Sequence, residues 1–280
     1  MRFTLGFSPC PNDTFIFDAL VNKKIDTEGF DFEPILEDVQ TLNNWAIAKK
    51  LDVSKISYGV LPLVAESYAV LNSGGALGKG VGPLLISKKT VDELSTAIKK
   101  LTVAIPGENT TAHLLFSYAF PDATNKEFLV FNEIENAVLS GKVDACVIIH
   151  ENRFTYQDRG LVKLIDLGEY WERSTGAPIP LGGIIVKKDF GKDVQQKLNR
   201  LIKKSVEYSF KNYPAISGYV SSHSQEMSEE VMRKHIDLYV NNFSIDLGKE
   251  GKLAVTQFLE IYANIHHTSI STKEIFAEVE

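Results

Sequence analysis

The chain has little that could form a covalent or membrane-embedded framework. Its 280 residues include only two cysteines, Cys10 and Cys146, which are too few and too distant in sequence to indicate a disulfide framework. No apolar run approaches the ~20 residues that a membrane-spanning helix needs. The N-terminal residues lack a long apolar stretch with a small-residue cleavage site. We therefore expect no secretory signal peptide, no membrane contact and a cytoplasmic location.

Excess positive charge and metal-binding patterns are also missing. The formal net charge is −6, with lysine and arginine mixed among acidic residues, so no basic stripe for nucleic acid is predicted. The sequence contains no HExxH pattern, no Cys/His cluster and no GxSxG motif, so we predict neither a metal site nor a serine nucleophile of the hydrolase type. These exclusions favour a soluble globular protein whose partner is a small molecule.

Strand and helix patterns alternate in two successive stretches of the chain. The first stretch predicts strands at 3–7, 30–36 and 56–61, with helices at 14–23 and around residue 42. This βαβαβ order predicts a parallel sheet with right-handed crossovers. The second stretch predicts helices at 91–100, 109–120 and 133–139, with strands at 102–105, 128–131, 143–149 and 161–167.

The two stretches predict a two-lobed α/β fold. A strand at 181–187 carries the chain back, and apolar stripes in the remaining helices, one of them containing His235 and another Leu253, are expected to pack on the first lobe. We predict a larger lobe of residues 1–87 plus 185–280, and a smaller inserted lobe of residues 88–184. Such lobes close on a ligand by a hinge motion, in binding proteins and in enzymes alike.

The segment that ends at His150 carries the strongest functional signal. Residues 143–149 form an apolar, β-branched run that stops at this histidine and is followed by polar residues. Ligands of α/β folds bind beyond the carboxyl ends of the strands. Histidine also exchanges a proton near neutral pH. His150 is therefore a candidate general base; the alternative is a histidine that only caps the strand.

Two turns that precede helices are candidate binding loops. The first contains Cys10 and Asn12, and its helix N-terminus favours an anionic group, although Asp13 opposes one. We interpret Cys10 as a small residue lining the cleft rather than as a nucleophile. In the second, Thr110 and Thr111 follow a glycine-containing turn, and we expect their hydroxyls and free N–H groups to point at one spot. Simple N-capping is the alternative there.

Two further segments are less specific. Ser57 follows Lys55 and Ile56 in the third strand and can hydrogen-bond a ligand, or simply belong to an ordinary strand. Residues 73–83 are glycine-rich but lack the Gly-Lys-Ser/Thr ending and the strand–loop–helix order of a phosphate loop. We predict a sharp turn there that leads into a strand crossing between the lobes.

Together these segments resemble a known family. They are similar to the 1,4-dihydroxy-6-naphthoate synthases of the futalosine route to menaquinone, and the similarity spans nearly the whole chain. The most specific matches are residues 8–17 and 148–156. The others are residues 36–43, 55–58, 73–85, 110–112, 178–183 and 242–248.

The resemblance implies a type II periplasmic-binding-protein-like fold and a carbon–carbon lyase that needs no cofactor. Its substrate would be cyclic de-hypoxanthine futalosine and its product 1,4-dihydroxy-6-naphthoate. His150 would be the catalytic base, and the substrate contacts would be Lys55, Ile56, Ser57, Thr110 and Thr111.

Two other readings of the family signal stay open. One is the chorismate dehydratase of the same pathway, against which the 8–17 run and His150 argue. The other is a non-catalytic solute-binding protein, against which the missing secretion signal argues. A homodimer is the expectation for an intracellular protein of this kind.

Overall fold

The computed structural model describes residues 1–90, 98–149, 152–224, 228–271 and 274–278. Its strands form two mixed sheets, with the order β2-β1-β3-β11-β4 in the first, where β5 also pairs with β11, and β10-β6-β9-β7-β8 in the second. The strands are β1 Arg2–Phe7, β2 Asp31–Leu36, β3 Val53–Ser57, β4 Tyr68–Val70, β5 Ala76–Gly78, β6 Leu84–Ser87, β7 Val103–Ile105, β8 Lys126–Phe128, β9 Ala145–Ile148, β10 Val162–Asp166 and β11 Ile179–Lys187.

Helices cover both sheets and make up most of the C-terminal third. The α-helices of the described residues are α1 Pro11–Val21, α2 Val39–Ile47, α3 Leu61–Val64, α4 Thr111–Ala119, α5 Ile134–Leu139, α6 Asn152–Thr155, α7 Leu167–Thr175, α8 Lys192–Asn212, α9 Gly218–His223, α10 Glu229–Tyr239, α11 Asn242–Ile245 and α12 Gly248–Ile265. No helix in this described part is long and apolar enough to cross a bilayer.

The β2-β1-β3 part of the first sheet has the predicted parallel arrangement. β1 pairs in parallel with both β2 and β3, while β11 returns antiparallel to β3. The strand predicted at 56–61 is wrong, because β3 ends at Ser57 and the chain turns into a 3₁₀ helix at Tyr58–Val60. The Ser57 hydroxyl accepts a hydrogen bond from the Gly59 N–H, and Pro62 lies in the first turn of α3, so the backbone leaves the sheet here.

The first helix begins earlier than predicted. Its N-cap is Cys10, and Pro11 occupies the first helical position. Proline suits that position because its fixed φ matches a helix and its missing N–H would have no intrahelical partner. The helix predicted at 91–100 falls mostly outside the described residues, and its last three residues form a 3₁₀ turn, Ile98–Lys100.

The second sheet forms the smaller lobe. β7 is parallel to β8 and β9, and β6 is antiparallel to β9 and β10. β8 lies at Lys126–Phe128, slightly before the strand predicted at 128–131. The domain boundaries at 87/88 and 184/185 stay a prediction. The chain passes from one sheet to the other somewhat before each of these positions. β6 already belongs to the second sheet, and all of β11 belongs to the first.

The apolar core joins the lobes rather than separating them. Phe3 and Phe7 of β1 pack with α8 and α10 in one cluster, whereas Tyr58, Trp171 and Phe258 belong to a cluster that spans both sheets. Helix α12 contacts β11 of the first sheet, as expected, and also α4 of the smaller lobe. Leu253, predicted on its apolar stripe, is 69% exposed, whereas His235 is fully buried as predicted.

Candidate functional site

A cavity lies where strands of both sheets end. Ser8 follows β1, Ser57 ends β3, Ile149 follows β9, and Thr110 precedes α4 after the turn that leaves β7. Its volume is about 110 Å³, compared with the ~10–15 Å³ that a single water needs by the same measure. The cavity therefore has room for a small organic molecule, at the position where α/β folds bind ligands.

Six of the seven predicted contact residues line this cavity. They come from α1, from β3 and from the start of α4, and they are Asn12, Lys55, Ile56, Ser57, Thr110 and Thr111. Cys10 is not among the described lining residues. Its carbonyl instead accepts hydrogen bonds from the Asp13 and Thr14 backbone N–H groups at 3.1 Å each, at the start of α1. His150 lies outside the described residues; Ile149, which precedes it in the chain, lines the cavity.

A buried ion pair forms one wall of the cavity. Lys55 Nζ lies 3.0 Å from Asp13 Oδ1, and the two side chains are 7% and 3% exposed. Lys55 Nζ also donates to the Gly74 carbonyl at 3.2 Å. These are the two charged residues among the described lining of the cavity, so the wall carries no net charge.

Asp13 is held by several donors at once. Its Oδ1 accepts from Asn12 Nδ2 at 2.8 Å in addition to Lys55, and its Oδ2 accepts from the Ser8 N–H at 3.1 Å and the Ser8 hydroxyl at 2.8 Å. A carboxylate that accepts this many hydrogen bonds holds the groups around it in place. Asn12 Oδ1 is buried and has no hydrogen-bond partner among the described residues.

The hydroxyls at the start of α4 are already engaged. Thr111 accepts from the Ser57 hydroxyl at 3.1 Å and donates to the Leu181 carbonyl at 2.9 Å, while its N–H donates to Ser57 Oγ at 2.7 Å. The Thr110 hydroxyl donates to the Gly107 carbonyl and accepts the His113 N–H. The prediction of free hydroxyls and N–H groups pointing at one spot is therefore wrong for these groups, because they connect the two lobes and cap the helix.

Sequence reasoning missed the apolar part of the cavity. Val39 and Leu42 contribute from α2, and Ala76, Val81 and Pro83 from the glycine-rich segment. That segment feeds β6, so it supplies wall atoms rather than a phosphate loop. Apolar residues in a helix face or beside glycines look the same in sequence whether they fill a core or line a cavity. An apolar lining with few polar groups is typical of small-molecule sites.

His113 is close to the site in sequence but faces elsewhere. Its Nδ1 hydrogen-bonds the Glu108 carbonyl at 2.7 Å, and its Nε2 lies 3.0 Å from the Lys126 ammonium, so Nδ1 carries the proton. Burial, aided by the Lys126 charge and opposed by the Glu108 hydrogen bond, lowers the pKa of His113 to about 4. The ring is therefore neutral at physiological pH, and it is not among the described lining residues.

Arg153 anchors the chain just after His150 and Glu151. Its guanidinium donates to the carbonyls of Gly82 and, at 2.9 Å, Gly80, and it lies 3.2 Å from Asp166. Helix α6 is thereby tied to the loop that precedes β6 and to the end of β10. No group of three or more His, Cys, Asp or Glu side chains suited to a metal ion occurs within the described ranges.

Comparison with known proteins agrees with this architecture. A crystal structure of a protein from Archaeoglobus fulgidus has a TM-score of 0.88 and 28% identity, covering 95% of this chain and 98% of that one. The periplasmic aliphatic sulphonate binding protein of Escherichia coli has a TM-score of 0.67 and 11% identity, covering 99% and 92%. The fold is thus periplasmic-binding-protein-like, as predicted.

Sequence relatives specify the family. A protein of Thermus thermophilus named 1,4-dihydroxy-6-naphthoate synthase is 44% identical over 90% of this chain and 91% of its own length. One of Streptomyces coelicolor with the same name is 43% identical over 91% and 90%. A family model described as menaquinone biosynthesis matches residues 3–264, and the chain belongs to that family.

Proposed function

We propose that this protein forms 1,4-dihydroxy-6-naphthoate from cyclic de-hypoxanthine futalosine, as a carbon–carbon lyase with His150 as general base. The activity in the names of the two relatives supports the product. The observation that carries the proposal to this chain is the single cavity around which Asn12, Lys55, Ser57 and Thr111 are gathered, with Ile149 beside them.

The cavity offers few but well-placed groups for such a substrate. Two of the three ammonium protons of Lys55 are used by Asp13 and Gly74, which leaves one for an oxygen atom of the ligand. Asn12 Oδ1 is a buried acceptor without a partner in the described structure, and a substrate hydroxyl would satisfy it. The apolar wall suits the aromatic ring that the product contains.

A bound carboxylate would be favoured by the helices rather than by excess charge. The N-termini of α1 and α4 both reach the cavity, at Asn12 and Thr111. Each helix N-terminus carries a partial positive charge of about half an elementary charge. Since Lys55 and Asp13 cancel, these two dipoles supply the positive potential for an anionic group.

The proposed reaction needs one proton acceptor and the cleavage of one carbon–carbon bond that yields an aromatic product. Neutral His150 removes a proton from a substrate hydroxyl or an acidified C–H group. When the proton comes from a hydroxyl of the sugar-derived part, that oxygen becomes the carbonyl of the departing fragment as the bond between ring and sugar fragment breaks. The electron pair of the broken bond stays on the ring and completes the aromatic naphthalene, and the proton held by His150 passes to the product. Lobe closure excludes water during this step. Aromatisation provides the driving force, so no cofactor is required by the proposal.

The test is incubation of the purified protein with cyclic de-hypoxanthine futalosine, without added metal or nucleotide, followed by mass spectrometry. We expect 1,4-dihydroxy-6-naphthoate to appear. His150→Asn should lower turnover by about 10²–10⁴-fold while ligand binding persists. His267→Asn is the matched control: this histidine is exposed and has a φ of 50°, a conformation that asparagine tolerates.

Other outcomes would redirect the assignment. Full activity of His150→Asn would refute the role of this histidine as base. Turnover of chorismate in place of the futalosine derivative would indicate the dehydratase. Tight binding of the futalosine derivative without product would indicate a non-catalytic binding protein.

A further inference from the structure

Asn43 of α2 is a buried polar residue that touches both lobes. Its side chain is 0% exposed. Asn43 Oδ1 accepts the backbone N–H of Ser57 at the end of β3, at 3.0 Å. Asn43 Nδ2 donates to the carbonyl of Asn109, in the turn before α4, at 2.8 Å. One carboxamide therefore joins the first sheet to the helix start that contributes Thr110 and Thr111 to the cavity.

The contact around this carboxamide is tight. A Cβ on Gly59 would lie 2.3 Å from the carbonyl carbon of Thr110, and one on Gly107 would lie 2.1 Å from Gln40 Oε1. Real Cβ atoms do not approach other atoms so closely, so glycine at position 59 allows the backbones of the two lobes to meet, whereas at Gly107 the neighbouring atoms are the end of the Gln40 side chain. The Ser57–Thr111 hydrogen bonds described above lie in the same contact.

We propose that Asn43 is a positioning residue that sets the spacing and register of the two lobes at the cavity. It does so by tying the turn before α4 to the end of β3. Neither of its two hydrogen bonds involves a ligand, so Asn43 acts through Ser57 and through the start of α4. The geometric part of this role stands by itself; its effect on turnover rests on the proposed function.

The position requires a donor and an acceptor on one short side chain. Aspartate keeps the acceptor for the Ser57 N–H but presents a second oxygen to the Asn109 carbonyl. Asn43→Asp therefore breaks the contact between the lobes while preserving the one within the first lobe. Asn44→Asp makes the same chemical change on the next residue of α2, which is exposed and whose Oδ1 already accepts from Gln40.

Hydrogen exchange and small-angle X-ray scattering test the geometric part without any substrate. In Asn43→Asp we expect amides of residues 106–115 to exchange roughly 5–100-fold faster at pH 8, as the loss of one buried partner predicts. The radius of gyration should increase. Asn44→Asp should match the unsubstituted protein in both. Exchange in Asn43→Asp equal to that in Asn44→Asp would overturn the proposal.

A pH profile separates positioning from general structural damage. Burial raises the pKa of the new carboxyl group, and its protonated form can donate to the Asn109 carbonyl and restore the contact. The charged residues on the segments that carry this residue and its two partners are Asp38, the N-cap residue of α2, Lys55 in β3, and Glu108 in the turn before α4. In Asn43→Asp, kcat/KM relative to Asn44→Asp should recover as pH falls, with KM changing more than kcat. A pH-independent deficit would overturn the positioning role.

Two contingencies keep the result decisive. If Asn43→Asp does not fold, Asn43→Ser replaces it, because serine buries no charge and cannot reach both hydrogen-bond partners. Faster amide exchange at residues 106–115 is again expected. Unchanged exchange refutes the proposal. If the unsubstituted protein does not turn over the futalosine derivative, the proposed function fails. The exchange and scattering results still decide the role of Asn43.

Discussion

Replacing Asp13 by asparagine leaves the buried Lys55 ammonium without its carboxylate. The two groups lie 3.0 Å apart, and at an effective dielectric constant of ~20 such a pair attracts by about 5–6 kcal/mol. Desolvation of both ions offsets part of this attraction in the intact pair. Removing only one partner leaves the desolvation cost of the other uncompensated. We therefore expect Asp13→Asn to lower the free energy of unfolding by about 3–5 kcal/mol.

Thermal denaturation measures this loss. At about 2–4 °C per kcal/mol for domains of slightly smaller size, Tm should fall by roughly 6–20 °C. Glu33→Gln is the control, because Glu33 pairs with Arg2 at 3.1 Å but their side chains are 49% and 67% exposed. An exposed pair of this kind contributes no more than about 1 kcal/mol. Equal effects of Asp13→Asn and Glu33→Gln would refute the reasoning.

A double-mutant cycle distinguishes the ion pair from the other hydrogen bonds of Asp13. Lys55→Met removes the ammonium but keeps much of the aliphatic chain. In the Asp13→Asn background it should cost about 2–3 kcal/mol less than it does alone, because the unpaired charge is then gone. Additivity of the two substitutions to within about 0.5 kcal/mol would show that the charges do not interact.

Three further substitutions probe other features of the fold. Tyr58→Phe should leave the free energy of unfolding in chemical denaturation unchanged or raised, because the buried Tyr58 hydroxyl has no hydrogen-bond partner among the described residues; a loss above about 2 kcal/mol would contradict this. The folded-state pKa of His113, about 4, lies below its ordinary value, so the unfolded state binds more protons as pH falls from 6.5 to 4 and stability is lost in that window. Between pH 7 and pH 4, the free energy of unfolding of His113→Gln should fall by roughly 2–3 kcal/mol less than that of the unsubstituted protein. Parallel pH profiles of the two proteins would refute this. Gly59→Ala should destabilise by about 1–3 kcal/mol through its clash with Thr110, whereas Gly218→Ala, which has nothing within 4 Å, should not; equal melting temperatures would contradict the clash.

The periodicity of apolar residues predicted the architecture because it shows which face of each strand or helix is buried, and the order of the elements along the chain predicted how the strands pair. The parallel pairing of β1 with β2 and β3 follows from alternating strands and helices. The end of β3 could not be predicted in the same way. Apolar residues continue beyond Ser57 to residue 61, and only the capping by Ser57 and the contact with Thr110 show that the backbone turns there.

The candidate site was predicted as a set of segments but not as a geometry. Lys55, Ser57 and Thr111 were placed near a ligand by their segments, and the structure gathers them around one cavity. That Ser57 and Thr111 bind each other depends on the packing of one lobe against the other. The side chains lie 54 positions apart in the chain, so no local pattern contains that information.

The polar groups at the cavity therefore divide into two sets with different consequences for function. Asn43, Ser57 and Thr111 form hydrogen bonds that join the two lobes, whereas Lys55 and Asn12 retain a donor and an acceptor for a ligand. Substitutions in the first set should change the closure of the lobes and, through it, the assembly of the whole site. Substitutions in the second set should weaken binding of one substrate group while closure stays intact. Under the proposed function, a bound substrate would be recognised by few polar contacts, and its orientation would depend on how accurately the two lobes meet.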